Sequence, residues 1–459
     1  MSSTRRIADA ASAMRRYREL SGHDRWSPAR LRAYQTQQLA MLVRHARARS
    51  AFYREHYRDV DAGDEVHLAQ LPPIDKATVM KRFDDVVTDR RLRLANLEAH
   101  LTQLRRDELY LGRYRVVSTG GSTGRRGVFV AGPDEWRTQL AALARINADI
   151  GLRPRLPRRR VATIAAARPL HVTYRMSQSL DVGAHRVLRL DATTPVAELV
   201  PLLNRHRPEF LYSYPSVLEL LAVEQVKGRL RIAPSTIVSS GETHTEDLER
   251  SVRAAWDVEW FQLYGATEVP FLAAHCRHHT GLHLFEDLAI VEVVDEHDRP
   301  VPAGAAGHHL LVTNLVNRTQ PLIRYALSDM VTVDPRPGPC GRPYRLLRGV
   351  AGRTDDLLRP PGLRGGTVSL HPLALRSVMA AVPGVAQYRI RYDHPRLHVR
   401  ATLRTGVAAE PARVAITTGM CDTLASLDAA PLDVDVTFVD RIDGGRDAAG
   451  KLRIIEGPP

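Results

Sequence analysis

This sequence predicts an α/β fold built on a largely parallel sheet, and two observations carry the prediction. From Val161 onward, strand-like runs alternate with helix-like ones. VATIAAA (161–167), Val187–Leu190, a helical Val196–His206, Phe210–Tyr212 and Thr236–Ser240 follow in turn, with a helix ending at Ala255. Strands separated by helical stretches need crossover connections, and these bring neighbouring strands into parallel pairing. The chain is also long: 459 residues with 44% hydrophobic content can fill two or three domains with buried cores.

Taken in order, the chain opens with a helical lead-in over residues 1–100. Ser27-Pro28 reads as an N-cap followed by proline in the first helical position. The stretch after it is amphipathic, with Leu31, Leu39, Leu42 and Val43 near one face. LAQLPPIDK (68–76) breaks the pattern, and Ala77–Val87 resumes it. Val116 and Val117 end a strand, and Val128-Phe129-Val130 begins another. Asp134 is placed to cap a helix running to Asp149, with Trp136, Leu140, Leu143 and Ile146 facing inward. Arg153–Arg160 packs five arginines and two prolines ahead of VATIAAA, which reads as a solvated turn or a contact to a coenzyme phosphate.

Composition narrows the function classes. The net charge is +14, and the 25% charged content is that of an ordinary globular protein. The excess arginine reads either as a solvated surface or as attraction to an anionic partner such as a nucleotide, coenzyme A or an acidic carrier protein. No zinc-finger, RNP-type or helix-turn-helix signature accompanies it, so nucleic acid is not the expected partner. No apolar run approaches the ~20 residues that cross a bilayer, so no membrane role is expected. The N-terminal MSSTRRIADAASAMRRYREL is too weakly apolar for a secretory signal, the alternative being an Arg/Ser-rich transit-like tail. Cys276, Cys340 and Cys421 are too few for a disulfide framework, and a cytoplasmic protein is expected.

The chemistry-bearing motifs cluster where strands end. Ser118-Thr119-Gly120-Gly121-Ser122-Thr123-Gly124 places three glycines and four hydroxyls in seven residues. Such a loop can turn backbone N–H groups and hydroxyls towards a phosphate. It lacks the Gly-Lys-Ser/Thr and the following helix of a Walker A loop, so a P-loop kinase or GTPase is not expected. Ser239-Ser240-Gly241-Glu242 and Tyr264-Gly265-Ala266-Thr267-Glu268 lie beyond strand ends, where ligands of parallel sheets gather. Thr267 and Glu268 offer a hydroxyl and a carboxylate, half of a Mg²⁺ site or simply a helix start. Asp329 ends the strand-like PLIRYALSD, suited to two ribose hydroxyls or to a turn. Gly352-Arg353-Thr354-Asp355-Asp356 reads as a loop carrying a cation and two carboxylates.

In this order STGGSTG, SSGE, YGATE, Asp329, GRTDD and a late GGRDAAGK (444–451) resemble the adenylate-forming superfamily of acyl-CoA synthetases, luciferase-like enzymes and nonribosomal adenylation domains. SAFYREHY (50–57), LPPIDKATVMKRF (71–83), GLHLFEDLAIVEVVDE (281–296) and LVTNLVNRTQPLIRY (311–325) look like its phenylacetate–CoA ligase branch. The likeness runs from about residue 30 to 456. It implies a large multi-subdomain N-terminal α/β adenylation domain, with its ATP- and acyl-binding core at 101–354. A small mobile C-terminal α+β domain would follow at 355–459.

The resemblance also implies roles. Ser118–Gly124 would hold the β- and γ-phosphates of ATP. Gly241 and Glu242 would line the adenine, with Tyr264 against its ring and Gly265 in the adjoining turn. Thr267 and Glu268 would meet the α-phosphate and Mg²⁺, and Asp329 the ribose, helped by Arg353. Asp355 would be the hinge, and Lys451 would reach the carboxylate and α-phosphate. Tyr212, Ser213, Tyr214 and Pro215 resemble an acyl-pocket wall, the alternative being that the tyrosines are core. Three departures stand out: STGRRG where relatives often carry lysine, Ala-Leu-Ser before Asp329, and a hinge sequel, RPPGLRGGTVSLHP, rich in proline and glycine. None removes an implied catalytic group.

Cys276, His283 and Cys340 resemble a zinc site of some members, with Gly338 where those members often have a further cysteine. His275, His278 or His279 would then be the fourth ligand, giving a structural tetrahedron. The alternative is an unmetallated His-rich loop. The implied activity is ATP-dependent carboxylate activation with release of pyrophosphate, then transfer of the acyl group to coenzyme A with release of AMP. The substrate would be a small aromatic acid, and relatives of this kind are often homodimers. Transfer to a carrier-protein thiol or an amine, or a non-catalytic nucleotide-binding relative, are the alternatives.

Overall fold

The structure is a computed structural model and describes residues 3–60, 66–119, 127–244, 246–353, 358–368, 370, 372–404, 406–442 and 455–456. Two compact units result. One comprises residues to Leu327 and Val331–Val350; the other comprises Ser328–Met330 and the described residues from Ala351 onward. The boundary lies between 350 and 351, where the sequence reading put it between 354 and 355.

The first unit begins with helices α1 (Ser3–His23) and α2 (Pro28–Arg49). Ser27 Oγ accepts the Arg30 N–H at 3.2 Å and Pro28 opens the helix, so α2 starts where the capping signal lies. Leu31, Leu39, Leu42, Val43 and Ala46 are its buried stripe. The amphipathic stretch is interrupted at Ser50, whose side chain caps the short α3 (Ala51–His56). Asp75 caps α4 (Lys76–Lys81) by accepting from Thr78 N at 2.7 Å, and α5 (Phe83–Val86) and α6 (Leu94–Gln103) follow.

Strands β1 (Arg115–Ser118) and β2 (Val128–Ala131) form an antiparallel hairpin. Val116, Val128 and Val130 pack on Phe83, Leu97 and Leu101 of the lead-in. Helix α7 (Pro133–Asp149) starts two residues earlier than the sequence predicts. Gly132 is its N-cap and Glu135 reaches back to the Gly132 N–H, so Asp134 lies inside the first turn.

Next come β3 (Arg160–Ala165), α8 (Val172–Ser179), β4 (Arg186–Asp191), α9 (Val196–His206), β5 (Phe210–Ser213) and α10 (Pro215–Val226). Then follow β6 (Thr236–Ser240), α11 (Glu246–Ala255) and β7 (Glu259–Tyr264). These five strands are parallel, in the order β4-β3-β5-β6-β7. Ile164, Leu211 and Ile237 meet Leu199, Leu203, Leu218, Leu221 and Leu248 of the helices.

The sheet does not stay parallel. Strands β8 (Ala273–His275) and β9 (Leu282–Leu284) extend it antiparallel. β10 (Ala289–Val294), β11 (His309–Asn314) and β12 (Tyr325–Leu327) form a separate antiparallel sheet. β13 (Asp329–Val333) and β14 (Leu346–Arg353) complete nine strands in the order β13-β14-β9-β8-β7-β6-β5-β3-β4. The Arg153–Arg160 turn meets Glu209, which pairs with Arg155, Arg159 and Arg160. That contact favours the solvated-turn reading of the five arginines.

The second unit is α+β. Strands β15 (Val385–Asp393), β16 (Arg396–Leu403), β17 (Asp433–Phe438) and β18 (Ile455–Glu456) form a sheet in the order β17-β16-β15-β18. Helices α12 (Pro372–Ala381) and α13 (Ala409–Ser426) contribute Leu375, Met379, Ile416, Met420 and Leu424 to one core with Ile390, Leu397 and Val399.

Candidate active site

The glycine-rich loop leaves the β1–β2 hairpin at Thr119 and returns at Gly127. Thr119 N donates to Gly127 O at 3.0 Å, and Gly127 N donates to Thr119 Oγ1 at 2.9 Å. The loop is therefore pinched shut at its base. Ser118 beneath it is buried, its N–H donating to Leu170 O at 2.8 Å. Gly120, Gly121, Ser122, Thr123 and Gly124 lie outside the described residues, as do Asp355 and Lys451. One cation escaped the sequence reading. Lys76, first residue of α4, donates to Thr119 Oγ1 at 3.3 Å. Its place in LPPIDK gave a family likeness but no role, because its partner lies 43 residues away.

YGATE follows β7 directly. A Cβ on Gly265 would lie 2.0 Å from Pro270 O and 2.7 Å from its carbonyl carbon. Only glycine allows this approach, and Ala266 N closes the turn on Val269 O at 3.0 Å. The turn presents Thr267 half-buried and Glu268 buried. Tyr325 OH donates to Glu268 Oε1 at 3.3 Å, and Asn314 Nδ2 to the Glu268 carbonyl at 3.2 Å.

The same segment holds the hairpin. Gln320 Oε1 accepts from Val130 N at 2.8 Å, Asn317 Nδ2 donates to Val130 O at 2.9 Å, and Tyr325 meets Phe129 edge-on with centroids 6.4 Å apart. LVTNLVNRTQPLIRY thus joins the β1–β2 hairpin to the acidic turn. Gly265→Ala is expected to distort that turn and cost about 1–3 kcal/mol, as overpacking does. Thermal unfolding checks this, and a variant with the wild-type midpoint would contradict the steric argument.

Glu242 lies just past β6, with Gly241 before it at φ +84°. Its carboxylate accepts from Ser216 N at 2.8 Å and Ser216 Oγ at 3.0 Å, capping the first turn of α10. Tyr212 at the end of β5 hydrogen-bonds Ser240, and burial raises its phenol, the Ser240 bond offsetting part of the effect. Ser213 and Tyr214 face the core: Ser213 Oγ donates to Ile164 O at 3.1 Å, and Tyr214 OH accepts from Ala166 N at 3.1 Å. Pro215 is the first residue of α10. Tyr264 is buried where β7 ends.

In the second unit Asp329 begins β13 instead of ending the strand before it. It is buried, and Arg353 Nε donates to its Oδ1 at 3.1 Å. Separately, Cys276, His283 and Cys340 bring their donor atoms within 4.8 Å of one another, the one such His/Cys/Asp/Glu group among the described residues. His283 Nε2 is 3.3 Å from Cys276 Sγ and 3.2 Å from Cys340 Sγ. Burial and the Arg342 charge pull the imidazole down to about 4, so it is neutral at physiological pH.

A large sheet with glycine-bearing turns at the carboxyl ends of its parallel strands, and a separate small α+β unit, define a protein of the adenylate-forming class. Residues 30–314 match the AMP-binding enzyme family, and the chain belongs to it. It is 30% identical to phenylacetate–coenzyme A ligase of Thermus thermophilus over 196 residues, 41% of this chain and 43% of that one. The match therefore spans less than half of that relative's length.

Protein CapK of Staphylococcus aureus is 21% identical over 71% of this chain and 68% of its own. Fumarate–(S)-2,3-diaminopropanoate ligase of Enterobacter agglomerans is 24% identical over 31% of this chain and 36% of its own. Among solved structures, 2-hydroxyisobutyryl-CoA ligase in the postadenylation state with 2-HIB-AMP has a TM-score of 0.71. It is 21% identical and covers 92% of this chain and 88% of that one, a likeness of fold. No helix among the described residues is long and apolar enough to cross a membrane.

Proposed function

We propose that this protein activates a small carboxylic acid with ATP and passes the acyl group to coenzyme A. The observation that carries the reading is the buried Glu268 carboxylate, held beyond β7 by a turn that Gly265 alone permits and joined through Tyr325 to the phosphate-loop hairpin. Ser118–Gly124 cradle the β- and γ-phosphates, with Lys76 adding charge at the loop's base. Gly241, Glu242 and Tyr264 line the adenine. Asp329 accepts from the ribose hydroxyls, and Arg353 fixes its carboxylate. Glu268 would hold a Mg²⁺ ion, which would supply charge neutralisation for the phosphates.

A carboxylate oxygen attacks the α-phosphorus, the bond to the β-phosphate oxygen breaks, and pyrophosphate leaves. Thr267 and Lys451 stabilise the charge that grows on the α-phosphate oxygens. In the second step a thiol attacks the acyl carbonyl, AMP departs and the thiol proton goes to solvent. Asp355 serves as the hinge between the two half-reactions. The acid is proposed to be aromatic, with Tyr212 on the pocket wall, and the compartment cytoplasmic. Cys276, His283 and Cys340 are proposed to hold zinc: a tetrahedral ion with ordinary Zn–S and Zn–N lengths sets sulfur and nitrogen about 3.5 Å apart, close to the separations here.

The test is acid-dependent ATP–pyrophosphate exchange over a panel of aryl and short aliphatic acids. Exchange with a subset of aryl acids is the expected result. ATP binding without exchange for any acid would remove the ligase reading. One observation favours an amine as a second acceptor, the likeness to a ligase of fumarate with (S)-2,3-diaminopropanoate. Product identification with coenzyme A omitted separates the two.

A further inference from the structure

We infer that the Cys276–His283–Cys340 site is an open, three-ligand metal centre whose fourth position belongs to an exchangeable outside ligand, water in the resting protein. This rests on the zinc reading above and goes beyond it, because a closed structural zinc needs four protein ligands. The three donors here form one face of a tetrahedron. Gly338 lies against His283. A Cβ built on that glycine would stand 2.8 Å from His283 Cε1 and 3.6 Å from its Nε2. A side chain at 338 would therefore meet the imidazole beside its metal-binding nitrogen, and the chain places only a hydrogen there.

The neighbouring histidines are turned to other partners. His275 Nδ1 accepts the Gln262 N–H at 3.2 Å. The His279 ring lies against Phe261, with centroids 4.4 Å apart. His278 meets the cluster through its backbone N–H, which donates to Cys276 Sγ at 3.5 Å. Cys276 and His283 are buried while Cys340 is only half-buried, so the approach for a small ligand lies on the Cys340 side.

Two thiolates and a neutral imidazole on a divalent ion give a centre of zero net charge with one free position. That donor set suits a catalytic-type zinc, which keeps water in its fourth place. The outside ligands it would accept are small donors that replace water: azide, imidazole or a short thiol.

The test uses the full-length protein loaded with Co²⁺, whose visible bands report coordination. Stoichiometric metal is expected, with bands that shift on adding azide. Gly338→Cys should supply a third thiolate, raise the sulfur-to-metal charge-transfer intensity about 1.5-fold, and abolish the azide response. His275→Ala and His278→Ala should leave metal stoichiometry unchanged.

Wild-type bands indifferent to azide, with loss of metal on removing one of those histidines, would overturn the open site and leave the zinc reading standing. No metal uptake by the wild type would overturn both. The azide titration needs no variant, so a poorly folding Gly338→Cys does not weaken it.

Discussion

Lys451→Ala is expected to cut acid-dependent ATP–pyrophosphate exchange by about a hundredfold or more. In the proposed mechanism the lysine acts on charge that forms only as the α-phosphorus is attacked. The loss should therefore appear in kcat, with the KM for ATP changed little. Lys451→Arg keeps the charge but replaces a compact ammonium by a wide planar fork, so it should recover only part of the rate. Exchange within a few-fold of wild type in Lys451→Ala would move carboxylate activation to another group. Glu268→Gln supplies the complementary measurement. It keeps the shape that Tyr325 binds and removes the charge proposed for Mg²⁺, so its defect should lessen as Mg²⁺ is raised.

The second large effect concerns stability. Asp287 is wholly buried and takes two hydrogen bonds from Arg145, at 2.7 and 3.1 Å, and pairs with His23 Nδ1 at 3.1 Å. Asp287→Asn leaves a buried guanidinium short of its counter-charge. Breaking such a pair costs about 3–5 kcal/mol. Asp24, 3.5 Å from Arg145, and Tyr344 soften this, so a loss near the lower figure is expected in urea unfolding. Asp134→Asn, on the surface, should change little and serves as the control.

The pH dependence follows from the same contacts. Burial alone would raise the Asp287 carboxyl, but Arg145 and His23 override it and hold it at about 2, below the ordinary 3.8. A depressed acid stabilises fully above its unfolded value, and that contribution fades as pH falls from about 4 towards 2. Asp287→Asn should therefore flatten the acid limb of the stability curve over that window. An unchanged limb would show that other carboxylates govern it.

Much of the parallel half of the sheet is legible in the sequence, because each strand is an apolar run followed by a helix with its own period. Val196–His206 is an example, its helix bounds matching the pattern residue for residue. The antiparallel half is not legible. β8 and β9 are three residues each, too short for a period to emerge, and the second partner of β9 is β14, some sixty residues later.

The site divides the same way. Gly265 and Glu268 stand out as a turn with an acid. The engagement of Glu242 with Ser216 and of Lys76 with Thr119 joins segments whose local sequences carry no trace of each other. Asp134 looked like a cap because its residue type favours one. Pro133 at the first helical position and Glu135 reaching back fix the start at Gly132 instead.

Helix α1 has a consequence for biosynthesis. It carries two buried polar groups, Asp9 and His23, whose partners come much later: Arg115 for Asp9, and Asp287, 264 residues on, for His23. At roughly 5–20 residues per second of translation, the gap before Asp287 is made lasts roughly 13–50 s. During that interval Ala13 and Leu20 can already pack on α7, complete by Asp149, but the His23 end lacks its buried acidic partner. Nascent chains halted before α7 should leave α1 accessible to protease, and chains released beyond β10 should protect it through its His23 end.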